Sequence, residues 1–69
     1  MTQKELLYVE DAVLHEQNVI AYLEDMTNTL EDENLVSFIN DEIKKHQSTE
    51  KKLIKALEEN SNDWSNING

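Results

Sequence analysis

The sequence predicts an all-α fold, an antiparallel two-helix hairpin that dimerises into a four-helix bundle. Three observations support this prediction. The 69-residue chain has no proline, and its one glycine is the last residue; these two residue types interrupt helices most strongly. Apolar residues recur at alternating three- and four-residue steps in two stretches. A domain of this size buries only about 60% of its surface, so it usually needs association or a cross-link.

The first helix is predicted over residues 3–30. Thr2 and Glu5 match a capping box, in which each side chain accepts a hydrogen bond from the other residue's backbone amide. Ala12, Val19 and Met26 widen the apolar stripe on one side, as a bundle helix requires. The seam, meaning the row of positions expected to face the second helix, comprises Leu6, Val9, Val13, Glu16, Ile20, Leu23, Thr27 and Leu30.

The second helix is predicted over residues 33–59. Asp32 can cap its start, and Glu33 in its first turn suits the helix dipole. The connection is short, which makes the two helices antiparallel neighbours. Phe38, like Met26, is expected in the core. The second seam comprises Val36, Ile39, Ile43, His46, Glu50, Leu53 and Leu57, with Leu35, Phe38, Ile54 and Ala56 beside it.

The hairpin is expected to occupy residues 1–59. Residues 60–69 are rich in Asn and Ser and are expected to form a flexible tail. Trp64 and Ile67 are the large apolar residues of this tail, and Trp64 folding back over the end of the hairpin is an alternative.

Charge and composition exclude several classes of function. The net charge of −9, from fifteen acidic and six basic residues, would repel nucleic acid and an anionic membrane surface. No apolar run approaches the roughly 18 residues of a membrane span. The chain has no cysteine for disulfides or zinc, and its first residues lack the pattern of a secretory signal. The expected location is therefore cytoplasmic.

Three polar residues interrupt the apolar seams. Antiparallel folding about Asp32 sets residue 16 opposite residue 48, so Glu16 lies across from His46 and Glu50, which share one helix face. In a two-fold dimer this layer would contain four carboxylates and two imidazoles, the ligands of di-iron and di-manganese bundles. The alternatives are a Glu16–His46 pair that fixes the helix register and an exposed layer without a role. We predict the register pair, with no bound metal and no other cofactor.

Two stretches, residues 6–17 and 40–47, resemble small ferritin-like hairpins, above all the spore coat protein F type of endospore-forming bacteria. The resemblance covers residues 5–58 and implies a ferritin-like bundle with a structural role in the spore coat. The family's metal motif needs a Glu in the first helix, which Glu16 matches, and Glu-x-x-His in the second, where His46 matches. Ile43 occupies the position of the second Glu and cannot bind a metal. The resemblance therefore favours the fold more than a metal site.

Three functions remain open. The first is a non-enzymatic structural protein that forms a homodimer, with a location in the spore coat as a possibility. The second is a ferritin-like metal-binding protein, and the third is a small helical regulator that docks its apolar groove on a protein partner. No nucleophile–base pair and no Gly-rich phosphate loop can be recognised, so enzymatic activity is not expected.

Overall fold

The computed structural model describes residues 1–60, and within this range the chain folds into two α-helices. Helix α1 comprises Gln3–Thr27 and helix α2 comprises Glu33–Glu59, and residues 28–32 connect them. The helices pack side by side in antiparallel directions, which gives a rod of 48 × 15 × 15 Å. The all-α hairpin prediction is confirmed for this part of the chain. The predictions of a flexible tail after Asn60 and of a packed Trp64 fall outside the described residues.

Both helices begin at the predicted capping residues. The backbone amide of Thr2 donates to Glu5 Oε1 at 2.7 Å, and the amide of Glu5 donates to Thr2 Oγ1 at 3.1 Å. The hydrogen bond from the Thr2 backbone, followed by that with its side chain, lowers the pKa of Glu5. At the start of α2, Asp32 Oδ1 accepts from the amides of Asn34 at 2.8 Å and Leu35 at 3.3 Å. Both capping predictions are confirmed, and amides without a partner in the helix are satisfied.

Helix α1 ends at Thr27, three residues before the predicted end at Leu30. The amides of Asn28 and Thr29 each donate to the carbonyl three residues earlier at 3.1 Å, which tightens the last turn. The hydroxyl of Thr29 also donates to the carbonyl of Met26 at 3.0 Å. These bonds satisfy carbonyls at the end of the helix and let the chain turn, while Leu30 stays half-buried.

The core lies along the two predicted seams. Leu6, Val13 and Leu57 form a buried cluster at the open end of the hairpin, where α1 begins and α2 ends. Ile20 and Ile43 are the other deeply buried residues. Every remaining seam residue is half-buried, so the structure confirms which face each helix turns toward the other.

The prediction that Phe38 belongs to the core is wrong, because 58% of this residue is exposed. Phe38 lies about 100° around the helix from Ile39, the nearest seam residue, since each residue advances by roughly this angle. One neighbouring helix cannot cover a side chain that lies so far around the helix from the line of contact. Met26 is closer to the seam and is half-buried. Leu35 also remains half exposed.

Candidate functional site

Glu16 and His46 meet across the interface between the helices. His46 Nδ1 lies 2.5 Å from Glu16 Oε2, so the carboxylate accepts a short hydrogen bond when this ring nitrogen carries the proton. The side chain of Glu16 is 14% exposed and that of His46 is 33% exposed. The pair is therefore partly withdrawn from water, where a charged or polar group needs a partner.

This contact indicates which residues of the two helices lie beside each other. It sets residue 16 beside residue 46, and the order continues in antiparallel fashion, with residue 8 near residue 54. Antiparallel folding about Asp32 predicts residue 48 opposite residue 16, so the observed pairing differs from this prediction by two positions. Ile20 and Ile43, both deeply buried, lie one turn from the pair. Sliding one helix by a single residue would turn its side chains by about 100° and separate Glu16 from His46.

Glu50 does not join the pair. It follows His46 by one helical turn and is half-buried, but the hydrogen bond involves Glu16 and His46 alone. In residues 1–60 no group of three or more His, Cys, Asp or Glu side chains is arranged to hold a metal ion. At Ile43, where the ferritin-like motif has a carboxylate, the structure places a buried apolar side chain. The structure thus brings two of the three candidate ligands together.

One side of the hairpin carries apolar side chains at both ends and along α1, and we call it the broad face. On α1 it consists of Ala12, Val19 and Met26, which are half-buried beside the seam. On α2 the equivalent positions are Leu35, Glu42, Thr49 and Ala56, and three exposed aromatic residues form its rim: Tyr8, Tyr22 and Phe38.

The opposite side carries a groove near the open end, which the sequence did not predict. We call it the open-end groove; it has a volume of about 550 Å³, and its apolar walls are Val13, Leu14, Ile54 and Leu57. Carboxylates stand at its edge, among them Glu58. Farther along this side the positions beside the seams are polar, as at Glu24 and Asn40. The apolar surface here is therefore confined to one end of the hairpin.

The hairpin exposes more surface than a compact protein of its mass. A compact monomer of 8.0 kDa is expected to expose roughly 4,400 Å². The exposed area here is 5285 Å². A rod of 48 × 15 × 15 Å has more surface for its mass than a compact protein, so a larger exposed area is expected from this shape.

Comparison of the chain with protein-family models, curated proteins and solved structures found no match. Within the described residues, neither helix has the length and apolar character needed to cross a membrane. The function is therefore inferred from the geometry of the hairpin.

Proposed function

We propose that this chain is a non-enzymatic structural protein that self-associates through the broad face into a four-helix bundle. In this proposal the protein is a component of an assembly such as the spore coat, as the resemblance of residues 5–58 to spore coat hairpins suggests. The observation that carries the proposal is the difference between the two sides of the hairpin.

The two sides differ at equivalent positions next to the seams. On the broad face most of these positions are apolar, but Glu5 at the start of α1 and Glu42 in the middle of α2 are charged, and Thr49 is polar and exposed. The Glu42 carboxylate lies 3.1 Å from the Lys45 ammonium. On the opposite side, Ile54 is the apolar exception among polar residues: Glu10, Gln17, Glu24, Asn40 and Gln47. Both sides of a lone hairpin would meet the same solvent. An apolar row along one side is typical of a helix surface that another element covers.

The small core supports the same proposal. Five side chains are deeply buried in the described part of the chain, and the core cluster lies at one end of a 48 Å rod. Scaffolds of fewer than about 70–80 residues rarely gain sufficient stability from one small core. The chain has no cysteine to add a disulfide. Covering the broad face with a second copy would convert half-buried seam residues into a continuous core.

Sedimentation equilibrium at micromolar concentration tests this proposal. We expect a dimer with twice the chain mass of 8.0 kDa. Circular dichroism on the same samples should show high helicity that declines on dilution, because association and folding are linked. A folded monomer that does not associate would contradict the proposal.

The second candidate function is a regulator that binds a helix of another protein, and the open-end groove favours it. Such a regulator would present its groove as a folded monomer. The ferritin-like metal-binding alternative needs at least a third ligand beside the Glu16–His46 pair, and the position of Glu50 gives it no such support.

A further inference from the structure

We propose that the second copy packs on the broad face with both turns at the same end of the bundle. Helix α1 of each copy then lies against α2 of the other. This inference rests on the proposed self-association and specifies its geometry.

A two-fold dimer through the broad face has two possible arrangements. In the first, the symmetry axis runs along the bundle, the turns lie at the same end, and α1 neighbours α2 of the partner. In the second, the axis runs across the bundle, the turns lie at opposite ends, and each helix neighbours its own copy. All neighbouring helices are antiparallel in both arrangements, so helix direction does not distinguish them.

The distribution of charge distinguishes them. Helix α1 contains six acidic residues and one lysine, whereas five of the six basic residues of the chain lie in α2 between residues 44 and 55. The Glu16–His46 contact sets this basic segment at the height of residues 7–18 of α1. Glu10 and Asp11 in this stretch line the open-end groove, so they add to the negative charge of α1 without lying on the broad face. Pairing α2 with its own copy in opposite directions brings Lys44 and Lys45 of the two copies together near mid-height, where the helices overlap residue for residue. Pairing α1 with α2 of the partner brings opposite charges to the same height, a form of complementarity that fixes partner orientation in helical bundles.

The rim of the broad face favours the same arrangement. Lys45 and Lys52 stand at the rim of α2, on the side where Phe38 is exposed. If α2 met its own copy, the lysines of both copies would approach one another near the middle of the bundle. In the proposed arrangement the α2 rim faces Tyr8 and Tyr22 of the second copy. Lys52 lies at about the height of Tyr8, which suits a cation–π contact, and Phe38 lies at about the height of Tyr22.

In this arrangement the Glu16–His46 pair of each copy packs next to the pair of the other copy. The Glu16–His46 pair lies near mid-height, so the pairs of the two copies fall in one layer in either arrangement. In the proposed arrangement Glu16 of one copy is next to His46 of the other, whereas in the alternative it would be next to the other Glu16 carboxylate. Helical spacing places both residues on the part of each seam next to the broad face. The 33% of the His46 side chain that is exposed in the hairpin therefore lies where the second copy packs.

Spin labels on single cysteines test the arrangement, because the natural chain contains no cysteine. Asn34 lies in the first turn of α2, close to the connection between the helices, and Ser48 lies near the middle of the hairpin. Both residues are exposed and point away from the seam. We would label N34C and S48C separately in the full chain and measure distances between copies by pulsed electron paramagnetic resonance. The S48C label is the matched control, since it lies at mid-height in either arrangement.

We expect both labels to give distances below about 30 Å, which is three interaxial spacings. A short distance for S48C with an N34C distance approaching the 48 Å length of the hairpin would overturn the proposed arrangement and leave self-association intact. The absence of any dipolar coupling at S48C, in a variant that remains helical, would instead contradict self-association itself.

Discussion

The contact between Glu16 and His46 introduces two polar side chains into seams that are otherwise largely apolar. Removing polar groups from water is unfavourable unless they are paired, and a hydrogen bond at 2.5 Å provides that pairing. Well-packed apolar residues often stabilise a core as much as a buried pair does. The pair is therefore better explained as a determinant of register than as a source of net stability.

We expect that replacing both residues, in the E16L/H46L variant, preserves the helical fold and leaves the melting temperature equal or higher. H46L alone should be less stable than the double variant by about 1–3 kcal/mol, since the Glu16 carboxylate would keep its partly buried position without its partner. Circular dichroism melts of the natural chain and the two variants measure this difference.

Equal melting temperatures for H46L and the double variant would show that the pair makes no energetic contribution. Elemental analysis of the purified protein provides an independent check, and we expect no stoichiometric iron, manganese or zinc. About one metal ion or more per dimer, absent from H46L, would replace the register pair with the metal-site hypothesis.

At the scale of the helices, the sequence predicts starts better than ends. Thr2, Glu5 and Asp32 contribute side-chain oxygens with a defined hydrogen-bonding role, so their positions can be read directly. The end of α1 has no glycine or proline to mark it. It depends instead on backbone hydrogen bonds donated by Asn28 and Thr29, which form only when the chain turns after the helix.

The candidate site, like the helices, can be predicted from the sequence only in part. Antiparallel pairing about Asp32 is sufficient to bring Glu16 close to His46, because both interrupt regular seams. The open-end groove could not be predicted in this way. Leu14 and Ile54 belong to different helices, and only their packing places them at one edge. The exposure of Phe38 likewise depends on how wide a sector one neighbouring helix can cover.

The assignment of the seams can be tested with a pair of aspartate substitutions in the two helices. Ile20→Asp places a charge at a deeply buried position, and we expect it to abolish helicity and association together, at a cost of several kcal/mol. Lys51→Asp, at an exposed position, should change the free energy of unfolding by about 0.5 kcal/mol or less. Circular dichroism melts compare the two, and similar stabilities would mean that α1 turns a different face toward α2.

For the molecule as a whole, the number of helices that pack against each helix limits how much of its apolar surface is buried. In the hairpin, α1 and α2 each contact one other helix, and most seam residues remain half-buried. In a four-helix bundle each helix gains a second adjacent helix, which covers the broad face. If the proposed dimer forms, stability should depend on protein concentration, because only the dimer would have the complete core.

Phe38 and Leu14 offer a matched comparison of the two apolar surfaces. Each is 58% exposed in the hairpin, but Phe38 is on the rim of the broad face and Leu14 lines the open-end groove. Glutamine is a good helix former, so neither substitution should disrupt its own helix. Covering an exposed aromatic side chain contributes about 1.5–3 kcal/mol, and 1.4 kcal/mol corresponds to a tenfold change in affinity. We therefore expect Phe38→Gln to weaken dimerisation by about tenfold or more and Leu14→Gln to leave it unchanged, as measured by sedimentation over a dilution series. The reverse result would place the second copy on the open-end groove, where the polar residues along the rest of that side would remain at the interface.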